Sequence, residues 1–333
     1  MSVNDLILVT GASGQLGRKV VRRLIELGYP VRAHFRSLEK AARWCPREAT
    51  PVLGDLTEPG WLPAALKGCD YVIHCAAKVS LRPADLEPMR QINVGGTQAV
   101  IEACKQNGIK RLVHVSSVAA LGASEDGRPI DETAPFNLAG YGIPYFETKH
   151  ESERLALEAN GGYLEVVVVE PSIIIAPPDR EVSVEEWAKM PKRIPAYFDF
   201  GLNVVEAADV VNGIILALQK GIAGQRYILA GENIGPERAF ELADKYLGMK
   251  RPFFKIPRWG LYLLGLFSEI AYTGKGKKPR LNRSIARLAK LKFYYSSAKA
   301  NRELGWIATP LENTIERIVA KIPHEFNRNI RER

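Results

Sequence analysis

The sequence predicts an α/β fold, in which a Rossmann-type doubly wound parallel sheet is followed by a smaller, mostly helical C-terminal lobe. Short apolar runs alternate with segments of helical periodicity along residues 1–175. The first run ends in a glycine-rich turn that opens a helical segment, and after about residue 175 prolines become frequent. Strands that alternate with helices favour a parallel sheet, because parallel neighbours are joined by long crossovers that are usually helical.

The first half supplies the alternating series. A run such as 31–35 is short and bounded by turn residues, as strands are, whereas 16–27 repeats apolar residues at helical spacing. The carboxyl ends of all the strands then share one edge of the sheet, where ligands bind in this architecture. The predicted strands are 6–10, 31–35, 51–53, 71–75, 111–115 and 164–169, and the predicted helices are 16–27, 61–66, 89–106 and 145–158.

The second half predicts a lobe that is interleaved with the sheet. We expect residues 1–175 to form the Rossmann domain and residues 176–333 to form a substrate lobe. A helix at 207–218 and a strand at 226–229 interrupt that lobe. We expect this part, at about 203–230, to return to the Rossmann domain.

Composition excludes several classes of protein. The chain has 333 residues, 46% of them hydrophobic, and a formal net charge of +9. The sequence has no apolar run of about 18 residues, so it predicts no transmembrane helix. The N-terminus lacks the basic flank and cleavage site of a signal peptide. The four cysteines have no metal-ligand spacing, which predicts free thiols, no metal site and a cytoplasmic location. Because the basic residues are scattered along helix faces, we expect no nucleic-acid partner.

The glycine-rich turn predicts a dinucleotide site. Residues 10–17 read TGASGQLG, follow a strand and open a helix, which is the context that a dinucleotide fingerprint requires. Glycines allow a tight turn and a close approach of the backbone to a pyrophosphate, while the helix N-terminus offers its N–H groups. The spacing is GxxGxxG, one residue longer than the common GxGxxG. The residues assigned to this contact are Gly11, Ser13, Gly14, Gln15, Leu16 and Gly17.

The end of the second strand predicts a preference for NADP. NAD sites place an acid at this position, about 20 residues after the glycines, to bind the ribose 2′-hydroxyl. This sequence has Arg36 instead, with Lys40 close behind. A guanidinium can bind a 2′-phosphate through two hydrogen bonds. The alternative is that Arg36 is a surface residue of a permissive site, in which case NAD also binds.

A tyrosine, a lysine and one of two adjacent serines predict proton chemistry near the same edge of the sheet. Tyr145 and Lys149 are four apart and share one face of a predicted helix. A nearby ammonium lowers a tyrosine pKa, which eases proton exchange near neutrality, and such a lysine can also bind a ribose. Ser116 and Ser117 lie at the carboxyl end of the predicted strand 111–115, where a hydroxyl could bond a substrate carbonyl. Strand position alone leaves open which serine does so.

These motifs identify a family resemblance. The chain is similar over nearly its whole length to the extended short-chain dehydrogenase/reductases, most of all to the branch of dihydroflavonol reductases, cinnamoyl-CoA reductases and 3β-hydroxysteroid dehydrogenases. The matching pieces are TGASGQLG (10–17), GDLTEP (54–59), VIHCAA (72–77), NVGGT (93–97), VHVSSVAALG (113–122), YFETK (145–149), EPS (170–172), ADVVNGIILAL (208–218), GQRYILAGE (224–232), YSSAKANRELGW (295–306) and TPLENTIERIV (309–319).

The resemblance implies roles for individual residues. Ser117 matches the catalytic serine because it precedes Gly122 by five residues in the family's SSxxxxG pattern, which leaves Ser116 to the cofactor wall. Tyr145 matches the proton donor or acceptor, and Lys149 matches its activator. One departure concerns Glu170, where the family often has arginine. The further positions matched to cofactor binding are Asp55, Leu56, Cys75, Ala76, Ala77, Asn93, Pro171 and Ser172.

Three functions fit these residues. The favoured function is NADP-dependent reduction of a carbonyl, or oxidation of the matching alcohol, on a small lipophilic or aromatic substrate. Sugar-nucleotide epimerisation or dehydration is the first alternative. Against it, the chain has Val118–Ala119 where dehydratases have acids, and Pro171–Ser172 where epimerases have a phenylalanine–asparagine pair. The other alternative is a cofactor-binding protein without catalysis, which the retained Ser117, Tyr145 and Lys149 disfavour.

The stretch 259–280 raises the question of further partners. Residues 259–272 are strongly apolar, and Lys275, Lys277, Lys278 and Arg280 follow. Such a segment could contact an anionic membrane or cap a lipophilic pocket. The favoured interpretation is a buried helix followed by a solvated basic loop. The family also suggests a homodimer formed through the helices at about 89–106 and 145–158.

Overall fold

A seven-stranded parallel sheet forms the centre of the protein, in a computed structural model that describes residues 1–177, 196–272 and 283–320. The strands of this sheet lie in the order β10-β6-β5-β4-β1-β2-β3, so the order reverses between β1 and β4. The strands are β1 Ile7–Thr10, β2 Val31–Phe35, β3 Ala49–Leu53, β4 Tyr71–His74, β5 Arg111–Val115, β6 Glu165–Pro171, β7 Ile173–Ile175, β8 Ala196–Tyr197, β9 Leu202–Glu206, β10 Arg226–Leu229, β11 Glu232–Ile234 and β12 Phe254–Lys255.

Helices cover both faces of this sheet. The first core layer holds α1, α2, α7 and α11, and the second holds α3, α5 and α6. This doubly wound arrangement confirms the fold class predicted from the sequence. The helices are α1 Gln15–Glu26, α2 Leu38–Trp44, α3 Leu62–Leu66, α4 Leu86–Met89, α5 Gly96–Gln106, α6 Pro144–Glu158, α7 Ala207–Lys220, α8 Pro236–Leu247, α9 Arg258–Tyr272, α10 Arg283–Leu288, α11 Ala298–Leu304 and α12 Leu311–Ala320.

The strands alternate between two hydrophobic cores. In β1, Ile7 and Val9 join the core under α1 and α7, whereas Leu8 joins the core under α3 and α5. Val167 and Val168 divide in the same way in β6. Successive strand residues point to opposite faces, so a strand covered on both sides is apolar at every position.

The helix predicted at 89–106 is interrupted, so that prediction is wrong in detail. After α4, residues Arg90–Gly95 form a π-helical turn, and α5 begins only at Gly96. Such turns are rare and occur often at functional sites. This turn carries Asn93, whose side chain bonds the backbone of Lys78.

The second half adds two small sheets that the sequence analysis did not anticipate. Strand β9 pairs with both β7 and β11 in a three-stranded sheet, and β8 pairs with β12. Strands of two or three residues are too short to show an alternating pattern. Helix α7 packs against β5 and β6, and β10 pairs with β6 at the edge of the main sheet.

Helix α9 differs from the buried helix favoured by its sequence. Leu261 is buried against α10, but Trp259, Leu263 and Phe267 are exposed. The interpretation as a buried helix is therefore wrong for one whole face of α9. The basic residues Lys275, Lys277, Lys278 and Arg280 lie outside the described residues, as do Pro178, Pro191 and Pro195.

The described residues contain helices of moderate length and four cysteines. None of their helices is both long and apolar enough to cross a bilayer. Cys45, Cys69, Cys75 and Cys104 are all free thiols.

Candidate active site

The glycine-rich turn is as tight as the sequence predicts. Gly11 has φ +70°, and a Cβ there would lie 2.8 Å from the Cα of Ala76. A Cβ on Gly17 would lie 2.3 Å from the carbonyl oxygen of Gly11. The N–H of Gly14 donates to that same oxygen at 2.9 Å. Gly14 is also the N-cap of α1, and no side chain caps the helix, so its first N–H groups face the turn without a side-chain partner.

A cleft of about 410 Å³ opens beside this turn, which we call the cofactor cleft. It lies at the carboxyl ends of β1, β2 and β4, next to the point where the strand order reverses. Many of its lining residues are those predicted for the cofactor, and His34, Gly54, Lys78 and Ile92 are additions. The cleft is lined by Gly11, Ser13, Gly14, His34, Arg36, Lys40, Gly54, Asp55, Leu56, Cys75, Ala76, Ala77, Lys78 and Ile92.

The outer end of the cofactor cleft is basic and solvated. Arg36 directly follows β2 and is exposed, and Lys40 is half-buried in the first turn of α2. The carboxylate of Asp55 accepts hydrogen bonds from the backbone N–H and hydroxyl of Thr57, at 2.9 and 2.8 Å. These bonds hold the pKa of Asp55 below its usual range, with a smaller contribution from Arg36. The Asp55 carboxylate is thus hydrogen-bonded to Thr57, while the Arg36 guanidinium is exposed to solvent.

His34 is a structural residue of the cleft that the sequence analysis missed. Its ring stacks on Trp61, with centroids 4.3 Å apart, and its Nε2 lies 2.9 Å from the carbonyl oxygen of Gly54. Its Nδ1 lies 3.4 Å from the backbone nitrogen of Gly11. Burial lowers the pKa of His34, so the ring is neutral. A neutral ring can donate from Nε2 and accept at Nδ1, and it thereby ties β2 to the glycine turn.

His74 links the cleft to helix α5 through a second chain of hydrogen bonds. Thr10 Oγ1 accepts from the N–H of Ala76 at 3.2 Å and lies 2.7 Å from Nδ1 of His74. On the other side, Nε2 of His74 lies 3.2 Å from Thr97 Oγ1, which donates to the carbonyl of Asn93 at 2.6 Å. The Thr97 hydroxyl donates its proton to the carbonyl of Asn93, so it can only accept from His74. The proton of the neutral His74 ring therefore lies on Nε2. Burial lowers the pKa of His74 to about 3, which keeps this chain intact across ordinary pH.

Asn93 fixes the segment that follows β4. Its Oδ1 accepts from the N–H of Lys78 at 2.7 Å, and its Nδ2 donates to the carbonyl of Lys78 at 3.0 Å and to Thr148 Oγ1 at 3.2 Å. Asn93 is buried and does not line the cofactor cleft. It therefore holds the cleft wall and α6 in register.

Tyr145 and Ser117 come together where β5 meets α6. Pro144 begins α6, so Tyr145 lies in the first turn, and Ser117 is the second residue after the end of β5. Burial raises the pKa of Tyr145, and a hydrogen bond with the Ser117 hydroxyl opposes that rise. The Ser117 hydroxyl also accepts from the N–H of Ala119 at 3.2 Å. The phenol is therefore protonated near neutrality.

Lys149 lies against the backbone at the end of β5. Its ammonium is buried and donates to the carbonyl of Val115 at 3.0 Å. Burial lowers the pKa of Lys149 to about 8, while Glu153 and Cys75 oppose the fall. The sequence analysis expected the ammonium to lower the pKa of Tyr145, whereas burial raises that pKa in this structure.

Ser116 belongs to a buried charge cluster behind the site. Its hydroxyl donates to Glu153 Oε2 at 2.5 Å. Arg226 reaches in from β10 and lies 3.0 Å from Glu153 and 3.8 Å from Glu170. Burial and the neighbouring Glu153 raise the pKa of Glu170 well above its usual range, so Glu170 is held protonated. We call Ser116, Glu153, Glu170 and Arg226 the acid cluster.

The residues present fit a dinucleotide cofactor. The cofactor cleft combines a glycine turn at an uncapped helix N-terminus with basic side chains at its outer end. Beyond Pro171, the Ser172 hydroxyl is buried and has no hydrogen-bond partner within the described part of the chain. Buried hydroxyls nearly always have a partner, so this one marks a place for a ligand atom. Gln15, Leu16 and Gly17 form the start of α1, directly after the lining residue Gly14, and do not themselves line the cleft.

Fold and site define the class of the protein: a Rossmann enzyme that binds a nicotinamide dinucleotide and carries out oxidation or reduction. The chain matches the NAD dependent epimerase/dehydratase family over residues 7–230 and belongs to that family. The resemblance to its extended short-chain dehydrogenase/reductase members is confirmed by curated relatives, among them dehydrogenases and reductases.

Several relatives match most of the chain. A Synechocystis sp. protein with the provisional name dihydroflavonol 4-reductase is 31% identical over 98% of this chain and 96% of its own. Sterol demethylase protein B of Methylococcus capsulatus is 32% identical over 91% of this chain and 93% of its own.

Solved structures agree. The crystal structure of gox2253 superposes with a TM-score of 0.79 at 34% identity, covering 96% of this chain and 98% of that one. UDP-glucose 4-epimerase of Thermotoga maritima has a TM-score of 0.74 at 21% identity, covering 97% and 99%, and at that identity the likeness shows only a shared fold.

Proposed function

We propose that the protein is an NADPH-dependent reductase of a carbonyl group on a lipophilic substrate, able to run in the reverse direction as an alcohol dehydrogenase. The observation that carries this proposal is the pairing of Ser117 with a Tyr145 phenol whose pKa is raised. Bound NADPH would supply the hydride. The protein's own residues must then hold the substrate oxygen and give it a proton.

The chemistry of the two hydroxyls favours reduction. Negative charge develops on a carbonyl oxygen as the carbon is reduced, and a proton donor at that oxygen stabilises the transition state more than the ground state. Tyr145 is protonated and is positioned by Ser117, so it can donate to that oxygen while Ser117 donates a second hydrogen bond. Lys149 holds its charge close to the same turn and would contact the ribose and orient the phenol.

The preference for NADPH rests on the outer end of the cofactor cleft. Arg36 occupies the place of the acid that binds a 2′-hydroxyl in NAD sites, and Lys40 lines the same cleft. Asp55 is engaged with Thr57 and does not replace that acid. A 2′-phosphate would therefore meet two cations, beside the Asp55 carboxylate, one oxygen of which accepts both hydrogen bonds from Thr57.

The names of several relatives support a lipophilic substrate. A 4-hydroxy-2-methyl-3-oxo-4-farnesyl-3,4-dihydroquinoline-1-oxide ketoreductase of Stigmatella aurantiaca is 32% identical over 90% of this chain, and a 2-alkyl-3-oxoalkanoate reductase of Shewanella oneidensis is 27% identical over 94%. Both names describe reduction of a ketone that carries an apolar tail.

The wider setting is part of the same proposal. We place the enzyme in the cytoplasm, with residues 1–175 as the cofactor domain, residues 176–333 as an interleaved substrate lobe, and a dimer formed by α5 and α6. The free thiols support a reducing compartment. Sedimentation equilibrium would test the dimer, which predicts twice the mass of the 36.9 kDa chain.

The experiment is a carbonyl screen with purified full-length protein. Aromatic aldehydes, alkyl ketones, oxo acids and oxosteroids are offered with NADPH, and consumption is followed at the nicotinamide absorbance with product identification. The proposal expects reduction of at least one lipophilic ketone or aldehyde. Turnover of UDP-sugars without net NADPH consumption would replace it with epimerisation, and tight NADPH binding without turnover of any compound would favour a non-catalytic role.

A further inference from the structure

Helix α9 exposes its large apolar side chains. Trp259, Leu263 and Phe267 are 71%, 40% and 64% exposed, and they recur every four residues, so they form one stripe along the helix. Tyr262 and Leu264 flank that stripe and are also exposed. Scattered exposed apolar residues are ordinary, but a contiguous stripe of this kind marks an interaction surface.

The opposite face of α9 shows that this exposure is not a packing accident. Leu261 packs with Ala286 and Ala289 of the α10 region, and Gly265 lies one turn further along the same buried side. The helix therefore packs on the protein through the side that carries Leu261 and Gly265, while Trp259, Leu263 and Phe267 face outward. A surface helix without a binding partner would turn its largest apolar residues toward the protein core.

The segment that leads into α9 is basic, aromatic and exposed. Phe253 and Phe254 are 66% and 71% exposed. The sequence from 245 to 268 contains no acid. Asp199 lies close enough to Lys255 to feel its charge, but Asp199 is paired with Lys292 at 2.5 Å. The exposed cations in this segment are Lys250, Arg251, Lys255 and Arg258.

We propose that α9 and the preceding segment 250–258 form a membrane-docking surface that inserts into one leaflet of an anionic bilayer. The occupant is chosen by the combination of side chains. Aromatic rings are favoured at the boundary between headgroups and acyl chains, and lysine and arginine are attracted to anionic headgroups. A protein partner of matching chemistry would need its own acidic and apolar stripe, whereas a bilayer supplies both over any length.

The docking is peripheral. The 15 residues of α9 give a helix about 22 Å long, at 1.5 Å per residue, which suits a helix lying in the plane of the interface. Docking would hold the enzyme against the phase in which lipophilic molecules concentrate. This inference does not depend on the proposed reaction, because binding to lipid is measured without substrate.

Vesicle binding by the full-length protein tests the proposal. Flotation with phosphatidylcholine vesicles, with and without phosphatidylglycerol, measures partitioning at low and high salt. We expect binding to the anionic vesicles, weakened by salt, and a blue shift of tryptophan fluorescence that Trp259→Phe abolishes. Lys255→Gln together with Arg258→Gln should weaken binding to anionic vesicles about fivefold for each cation.

A matched pair of variants separates this surface from general stickiness. The triple variant Trp259→Ser, Leu263→Ser, Phe267→Ser should reduce partitioning at least about tenfold, because apolar burial drives insertion. The control variant Tyr163→Ser, Ile222→Ser, Ile307→Ser removes exposed apolar side chains elsewhere and should leave partitioning unchanged. NADPH binding by every variant checks the fold.

Three results would overturn the proposal. The first is no binding of the wild type to anionic vesicles at low salt. The second is equal binding by the triple variant and the control. The third is a fall in sedimented mass in the triple variant without lipid, which would make the stripe an interface between two copies of the chain.

Discussion

The outer and inner parts of the active site differ in how far water reaches their charged groups. Arg36 and Lys40 lie at the solvated end of the cofactor cleft, whereas Lys149 is buried and Tyr145 is half-buried. The pKa values of Tyr145 and Lys149 are moved by burial, one upward and the other downward to about 8. Selectivity for a cofactor can therefore rest on exposed charge, while the chemistry depends on groups whose protonation the fold controls.

The largest effect is expected at the inner part, from Tyr145→Phe. This change removes one hydroxyl, so turnover should fall at least about 10²-fold while NADPH affinity stays near normal. Steady-state kinetics and a fluorescence titration with NADPH measure the two quantities. Tyr163→Phe, on an exposed tyrosine, is the control. Wild-type turnover by Tyr145→Phe on a genuine substrate would show that the proton comes from elsewhere.

The two adjacent serines should fail in different ways. Ser117→Ala removes a hydrogen bond to a group that carries developing charge, so turnover should fall about 10- to 100-fold, while the loss of the bond from the Ala119 N–H lowers the melting temperature only slightly. Ser116→Ala leaves Glu153 without its 2.5 Å donor, so the melting temperature should fall while turnover changes less. Calorimetry and kinetics on both variants decide the matter, and the opposite ranking in turnover would exchange the two roles.

At the outer part a smaller effect is expected. Arg36→Asp should weaken NADPH binding about tenfold and bring NADH to equal or better affinity, since one ionic hydrogen-bond partner is lost. Because Arg36 is exposed, the wild-type preference should decline as salt rises. Dissociation constants for both cofactors are compared with those of Arg22→Asp, an exposed arginine on α1. A preference for NADH in the wild type would remove the basis of this assignment.

The smallest effect is expected behind the site, in the acid cluster. The pKa of Glu170 is raised in the folded protein, so the folded state binds a proton that the unfolded chain releases at lower pH. That arrangement costs stability progressively as pH rises above the usual glutamate range. Glu170→Gln should match the wild type in acid and melt a few degrees higher near neutrality. Parallel melting curves against pH would show instead that Arg226 fully compensates the ionised carboxylate.

The sequence predicted correctly those parts of the molecule whose structure depends on residues within a single short segment. The bounds of β2, β5 and β10 agree with the predicted runs, because each is an apolar stretch between turn residues. The glycine turn and the Tyr145–Lys149 pair are local patterns in the same sense. Their positions in space follow from the parallel sheet.

The remaining features depend on partners that are distant in sequence. His74 bonds Thr10 across 64 residues and Thr97 across 23, and nothing local indicates a buried neutral histidine there. Glu170 is recognisable as a departure from its family, but its cation Arg226 comes from a neighbouring strand 56 positions later. The pKa of Tyr145 followed burial rather than the nearby lysine, because spacing along a helix does not reveal how well water is excluded.

The π-helical turn at Arg90–Gly95 lets one continuous helical segment point its side chains toward two different parts of the protein. Each residue of an α-helix rotates the next by about 100°, so an added residue shifts the phase of everything after it. Within the turn, Asn93 bonds the backbone of Lys78, and after the turn Val100 and Cys104 pack into the core beside the sheet. Deleting a single residue here would restore a regular helix and force a choice between these two orientations. The turn therefore sets the relative rotation of the helical segments on either side of it. The number of residues in this stretch matters to the structure as much as which residues they are.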